Sequence, residues 1–114
     1  MHEFSVVSSL LENCEQIAKD NQASKVLAIY LEIGERSGVN VDLLKKAFLD
    51  FKIGSICQEA ELFITSVKVR LFCEDCKQSS ESVGINYTQC PLCASSSVKI
   101  IKGNEMLLLR LEME

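Results

Sequence analysis

The stretch CEDCKQSSESVGINYTQCPLC, residues 73–93, decides how this chain is organised. It contains two Cys-x-x-Cys knuckles, Cys73/Cys76 and Cys90/Cys93, with thirteen residues between them, close to the spacing of a four-cysteine zinc site. A two-residue spacer lets both sulfurs of one knuckle converge on a single ion, and two such turns complete a tetrahedron around Zn2+. The single histidine stands far away at position 2, so the ligand set reads as all sulfur with no open position for a catalytic water. Zinc-dependent hydrolysis is therefore not expected. Two redox-active dithiols or two disulfides are the alternative readings of the same spacing. The surrounding segment offers only Val83, Ile85, Tyr87, Leu92, Val98, Ile100 and Ile101 as apolar groups. That is too little to bury a core, so a staple must offset the conformational entropy of ordering it.

Outward from the knuckles the pattern changes. Towards the N-terminus, Phe4, Val7, Leu11, Cys14 and Ala18 step by three and four, which predicts an amphipathic helix over 4–20. Residues 26–33, VLAIYLEI, are rich in branched side chains and predict a strand with Leu27, Ile29, Leu31 and Ile33 on one face. After Gly34 and Gly38, the spacing of Val41, Leu44, Ala47, Phe48 and Phe51 predicts a second helix capped by Asn40. Alternation from Ala60 to Leu71 predicts a second strand, and that of Leu107, Leu109, Leu111 and Met113 a third. A strand, helix, strand run permits a parallel crossover, and the last strand closes the sheet. The expected fold is α+β: a small α/β layer of three mixed strands with two helices on one face, plus an inserted four-cysteine zinc-ribbon domain. Residues 1–68 and 104–114 would form the α/β domain and 69–103 the zinc-binding domain.

The 114 residues, 47% hydrophobic and 25% charged, suit one small globular chain rather than a multidomain enzyme. Twelve Lys and Arg against sixteen Asp and Glu leave a net charge of -4, which gives no footprint for a polyanion. Residues 68–103 carry five cations against three carboxylates, a net of +2, which a zinc tetrathiolate would cancel. Nucleic acid is not an expected partner. There is no apolar run long enough for a membrane span and no basic, cleavable leader, so a cytoplasmic protein without membrane contact is expected. In a reducing compartment six cysteines point to metal rather than disulfides. Cys14 and Cys57, outside the knuckles, read as small buried hydrophobes.

The N-terminus offers a second metal site. His2 Nδ1 and the His2 backbone nitrogen can close one chelate ring, and that nitrogen with the Met1 amine a second. Such a nitrogen plane suits Ni2+ or Cu2+ better than Zn2+, and the Glu3 amide is a candidate fourth donor. Amides in the first helical turn have no intrahelical acceptor, so metallating them leaves the helix intact. Residue types alone do not separate nickel from copper, nor a ligand from a solvated histidine. The carboxylates of Glu3 and Glu35 read as solvated groups, or as attractors of a cation or a basic surface. There is no Ser, His and Asp set and no glycine-rich phosphate loop, so the chain is not expected to be an enzyme.

The opening Met1-His2-Glu3, the Gly34-Glu35-Arg36-Ser37 turn, the paired knuckles and Gly103-Asn104-Glu105-Met106 before the last strand resemble, in that order and over the whole chain, the HypA family of hydrogenase-maturation nickel chaperones. The resemblance implies a chaperone that binds Ni(II) through the Met1 amine, the His2 imidazole and backbone nitrogen and the Glu3 amide. It implies structural Zn(II) on Cys73, Cys76, Cys90 and Cys93. It also implies a HypB-type GTPase partner, delivery to the [NiFe]-hydrogenase large subunit, and, as in some relatives, service to urease maturation proteins. Some relatives carry a histidine close behind the knuckles where this chain has Lys77 and Ala94, so histidine-for-thiolate exchange at zinc is not expected here. The rival readings are a zinc-ribbon interaction module in which His2 is incidental, and a dithiol redox enzyme. The chain is expected to be a monomer or a homodimer.

Overall fold

A computed structural model describes residues 2–114, apart from the side chain of His2. The chain forms two compact units. The first comprises the residues up to Leu31, Val39–Thr65 and Leu107–Glu114; the second comprises Glu32–Gly38 and Ser66–Met106.

The first unit begins with helix α1, His2–Asp20. Its buried stripe is Val7, Leu10, Cys14 and Ala18, the three-four-four step that puts one face towards a core. It ends where Gln22 adopts a left-handed conformation (φ 58°), with Ala23 N donating to Ala18 O at 2.8 Å and Gln22 N to Lys19 O at 3.1 Å. Those paired bonds satisfy carbonyls that the helix leaves without partners. Helix α2, Val41–Phe51, starts at Asn40, whose side-chain oxygen accepts from Leu43 N at 3.1 Å. Leu44, Ala47 and Phe48 are its buried face, and with Val26, Ala28, Ile29, Leu31, Cys57 and Ala60 they complete the unit's apolar core.

Strands β1 (Val26–Gly34), β2 (Glu61–Val67) and β6 (Met106–Met113) form a sheet in the order β2-β1-β6. Ser24 N bonds Glu114 O at one end and Gly34 N bonds Glu105 O at the other, so β1 and β6 run antiparallel. Val26 N bonds Ile56 O and Glu35 N bonds Val67 O, so β1 and β2 run parallel. The sheet is mixed, as a helical crossover followed by a returning strand requires.

The burial pattern departs from simple alternation at two places. In β1 both Ala28 and Ile29 are buried while Leu27 is 39% exposed; in β6 both Leu109 and Arg110 are exposed. The pleat thus slips by one residue at facing positions of the two strands, as a bulge does. In consequence Leu27, Leu107 and Leu109 lie on the outer face of the sheet, not on the inner face that strict alternation assigned them.

The segment expected as one strand from Ala60 to Leu71 is two. β2 ends at Val67, and strand β3, Arg70–Cys73, belongs to a second sheet, with β4 (Ser79–Glu81) and β5 (Val98–Lys102), in the order β4-β3-β5. Both pairings are antiparallel, with Leu71 opposite Ser80 on one side and Ile100 on the other. The break at Val69 has a visible cause. Its N–H donates to Glu35 Oε1 (3.3 Å), its side chain is buried, and Gly103 approaches so closely that a Cβ there would lie 2.8 Å from Val69 Cα. Gly103, at φ 105°, and Gly34, whose added Cβ would run into the Gly103 carbonyl, are the two glycines of this unit where a side chain would collide with neighbouring backbone.

Candidate metal centre

Each knuckle is built by the same local bonds. Cys73 N donates to Gln78 O (3.0 Å) and Lys77 N to Cys73 O (2.9 Å); in the second knuckle Cys90 N donates to Ser95 O (2.8 Å) and Ala94 N to Cys90 O (2.9 Å). Residues Lys77 and Ala94, each following a second cysteine, are left-handed at φ 58° and 64°. That conformation turns the chain tightly enough to bring the second sulfur back over the first. Backbone N–H groups point at the sulfurs: Cys76 N to Cys73 Sγ at 3.5 Å and Leu92 N to Cys90 Sγ at 3.3 Å. Such bonds favour thiolate. The Ser95 hydroxyl donates to Asp75, and Glu74 N donates to Ser97 O at 2.9 Å, tying one knuckle to the other.

The four sulfurs converge. Cys73 Sγ is 3.6 Å from Cys93 Sγ, Cys76 Sγ is 3.8 Å from Cys90 Sγ, and all four lie within 4.8 Å of one another. A regular tetrahedron with metal–sulfur bonds of about 2.3 Å has edges of about 3.8 Å, so the cluster fits a tetrahedral ion such as zinc without rearrangement. Cys73 and Cys90 are buried, Cys76 is half-buried and Cys93 is exposed, which leaves one edge of the site facing water. Proton affinity is divided unequally. The Cys76 backbone N–H holds the Cys73 thiol down to about 7. The Cys93 thiol is pushed up to about 12: the Ser95 backbone N–H opposes the rise, but the neighbouring cysteine sulfurs and desolvation outweigh it. Sulfurs this close compete for few protons, and a dication relieves that competition by taking all four as thiolates.

The N-terminal ligands divide differently. Met1 and the His2 side chain lie outside the described residues. Glu3, in the first turn of α1, is 8% exposed and its Oε2 accepts from Asn40 N at 3.2 Å. This corrects the expectation of a solvated carboxylate: the side chain is spent on the start of α2, where an unpaired backbone N–H and the positive end of a helix welcome it. Glu35 stays in water, as a solvated carboxylate does, yet it also holds two partners. Although exposed, its Oε1 accepts both Val69 N and the Tyr87 hydroxyl (3.2 Å), while the Arg36 guanidinium lies 5.4 Å from the centre of the Tyr87 ring. The alternation and spacing of the sequence held no signal for either contact, because the partners lie more than thirty residues away. Cys14 and Cys57 are buried, as expected of small hydrophobes, and their thiols share a hydrogen bond that raises the Cys14 pKa.

A four-sulfur metal site carried by a three-stranded ribbon, on a chain that also folds as a two-helix mixed sheet, defines a small two-part metalloprotein. A family model described as "Hydrogenase/urease nickel incorporation, metallochaperone, hypA" matches residues 1–113. Curated relatives named "Hydrogenase maturation factor HypA" are similar over the full chain: that of Shewanella oneidensis is 46% identical over 114 residues, covering 100% of this chain and 96% of the relative. That of Campylobacter jejuni is 44% identical over 115 residues, covering both chains fully. Among solved structures, the solution structure of the Ni metallochaperone HypA from Helicobacter pylori superposes with a TM-score of 0.72 at 45% identity, covering 97% of this chain and 96% of that one. The chain belongs to the HypA family, and is a nickel metallochaperone of hydrogenase maturation. Among the described residues no helix is long and apolar enough to cross a membrane.

Proposed function

We propose that this chain takes up Ni(II) at its N-terminus, through the Met1 amine, the His2 imidazole and backbone nitrogen and the Glu3 amide, and passes it on while a structural Zn(II) holds the ribbon through Cys73, Cys76, Cys90 and Cys93. In this reading residues 1–68 and 104–114 serve nickel and 69–103 serve zinc. The observation that carries it is the Glu3–Asn40 bond. With the carboxylate occupied, Glu3 has only its first-turn amide to offer a metal, and that amide has no helical acceptor to lose. A planar set of nitrogens follows, which is the geometry nickel prefers. The site sits at a chain end, where a ligand can be exchanged without opening a core. The recipient is the hydrogenase large subunit, reached with a HypB-type GTPase because this chain has no phosphate loop of its own; urease maturation proteins are a second destination.

The test is a nickel titration, followed by calorimetry and visible absorption, on untagged protein, on His2→Ala and on a chain extended by one N-terminal residue. Both changes should abolish a one-to-one nickel site while the zinc content stays the same. Because the imidazole and amides must lose protons to bind, nickel affinity should fall as pH falls. Nickel binding alike to all three proteins, or unchanged on acidification, refutes these ligands and leaves the ribbon as a protein-interaction module.

A further inference from the structure

We propose that Cys14 and Cys57 form a modification site, a dithiol that hydrogen peroxide or a similarly small hydroperoxide closes to a disulfide. Both residues belong to the first unit, and neither is part of the four-sulfur cluster. Cys14 stands well inside α1, on its buried stripe, and Cys57 in the connection from α2 to β2. Both thiols are free and fully buried, and that of Cys14 donates a hydrogen bond to the Cys57 sulfur. The backbone holds each sulfur in place. Cys14 has helix on both sides of it; Cys57 N donates to Ser55 Oγ (3.0 Å), Ala60 N donates to Cys57 O (2.9 Å), and the adjoining Ile56 O accepts from Val26 N (3.0 Å). An alanine fills a buried place of this size as well, as Ala18 does one turn further along α1. What two facing sulfurs add is the bond they can make to each other.

The contact gives the two sulfurs different roles. The hydrogen bond to Cys57, and then burial, raise the Cys14 pKa, so Cys14 keeps its proton. The same bond lowers the Cys57 pKa; burial and the Glu15 carboxylate oppose it, and the Lys52 ammonium assists. Cys57 is therefore the nucleophile and Cys14 the thiol that resolves it. The Cys57 sulfur attacks one peroxide oxygen and the O–O bond breaks. The departing oxygen takes the Cys57 proton and leaves as water, and Cys57 becomes a sulfenic acid. The Cys14 sulfur then attacks the Cys57 sulfur, the S–O bond breaks, and the hydroxide leaves with the Cys14 proton as a second water. Two thiols have lost two electrons to one peroxide. Burial slows this reaction and also selects the oxidant. An uncharged molecule of two heavy atoms can reach a sulfur that has no exposed surface, whereas oxidised glutathione must bring a bulky sulfur of its own into line with the attacking one.

Peptide mapping of the zinc-loaded full chain, kept in excess Zn(II), tests this after treatment with hydrogen peroxide or, separately, with oxidised glutathione. Trypsin places Cys14 in peptide 1–19 and Cys57 in peptide 53–68. In an unreduced digest, peroxide should join these two peptides at a mass two hydrogens below their sum, with the zinc content unchanged. Oxidised glutathione should leave both as free thiols. Two variants assign the roles, each checked for fold by circular dichroism. Cys14→Ser should strand Cys57 as a sulfenic acid, captured by dimedone on unfolding, while Cys57→Ser should leave Cys14 unmodified. The wild-type digest decides the pairing by itself, whether or not either variant folds. Absence of the joined peptide, a link from Cys57 to a knuckle cysteine, dimedone on Cys14 rather than Cys57, or equal closure by oxidised glutathione overturns the proposal.

Discussion

The two units of this molecule resist unfolding by different means. Among the described residues the first buries thirteen apolar side chains, from Val7 on α1 through Ile29 and Leu31 on β1 to Phe48 on α2. The second buries five, Ile33, Val69, Leu71, Cys73 and Cys90, of which two belong to the four-sulfur cluster. Hydrophobic burial at about 25 cal/mol per Å² can order the first unit but leaves the second short of what its conformational entropy costs. Bonds from the four sulfurs to a metal would make up the difference in the second, beside closely fitted backbone at Gly34 and Gly103. A core resists by volume; a ribbon of this kind would resist by coordination.

The largest expected effect separates these two. Chelation or Cys73→Ala should remove binding free energy on the order of 10–16 kcal/mol and collapse amide protection from Cys73 to Cys93, while α1 and α2 keep theirs. Protection that survives in the ribbon would mean that its few apolar contacts suffice. The converse is Phe48→Ala, which should cost the first unit about 3–5 kcal/mol in denaturant unfolding yet leave a tetrathiolate signature when Co(II) replaces zinc. Simultaneous loss of both would show that the two units fold as one.

Smaller changes sharpen the contrast. Asn40→Ala removes the side-chain acceptor for Leu43 N and should cost about 1 kcal/mol, read from α2 amide exchange. Lys77→Gly and Ala94→Gly relieve left-handed strain behind each knuckle and should raise metal affinity severalfold in a chelator competition, the left-handed cost of about 1 kcal/mol being partly offset by glycine's entropy. The smallest effect is a pH dependence. Desolvation and then Glu35 raise the Tyr87 pKa, so the folded ribbon holds this proton more tightly than the unfolded chain does. Its support is complete below the ordinary tyrosine value and disappears as pH climbs through the raised one. Tyr87→Phe should therefore flatten the alkaline limb of ribbon stability.

Much of the first unit was legible along the chain. The spacing of Phe4, Val7, Leu11, Cys14 and Ala18 declared α1, although Leu10 rather than Leu11 completes its buried stripe and Phe4 is exposed; Asn40 declared the start of α2, and the branched run from Val26 declared the central strand. The four-cysteine cluster was equally legible, because a Cys-x-x-Cys turn brings its two sulfurs together whatever surrounds it. The outer face of the sheet was not: the slips at Ala28/Ile29 and Leu109/Arg110 answer each other across two strands some eighty residues apart, and neither strand alone carries their signal. Nor was the break at Val69, whose N–H turns to Glu35.

The sequence by itself determined the periodic elements and the metal-competent knuckles, because those depend on neighbours within a few residues. Tertiary structure alone decided that Glu3 bonds the start of α2, that Glu35 and Gly34 belong with the ribbon, and that leucines in β1 and β6 face outward. Each of those outcomes depends on which distant backbone arrives alongside, and a hydrogen bond or a pleat slip is settled only when both partners are in place.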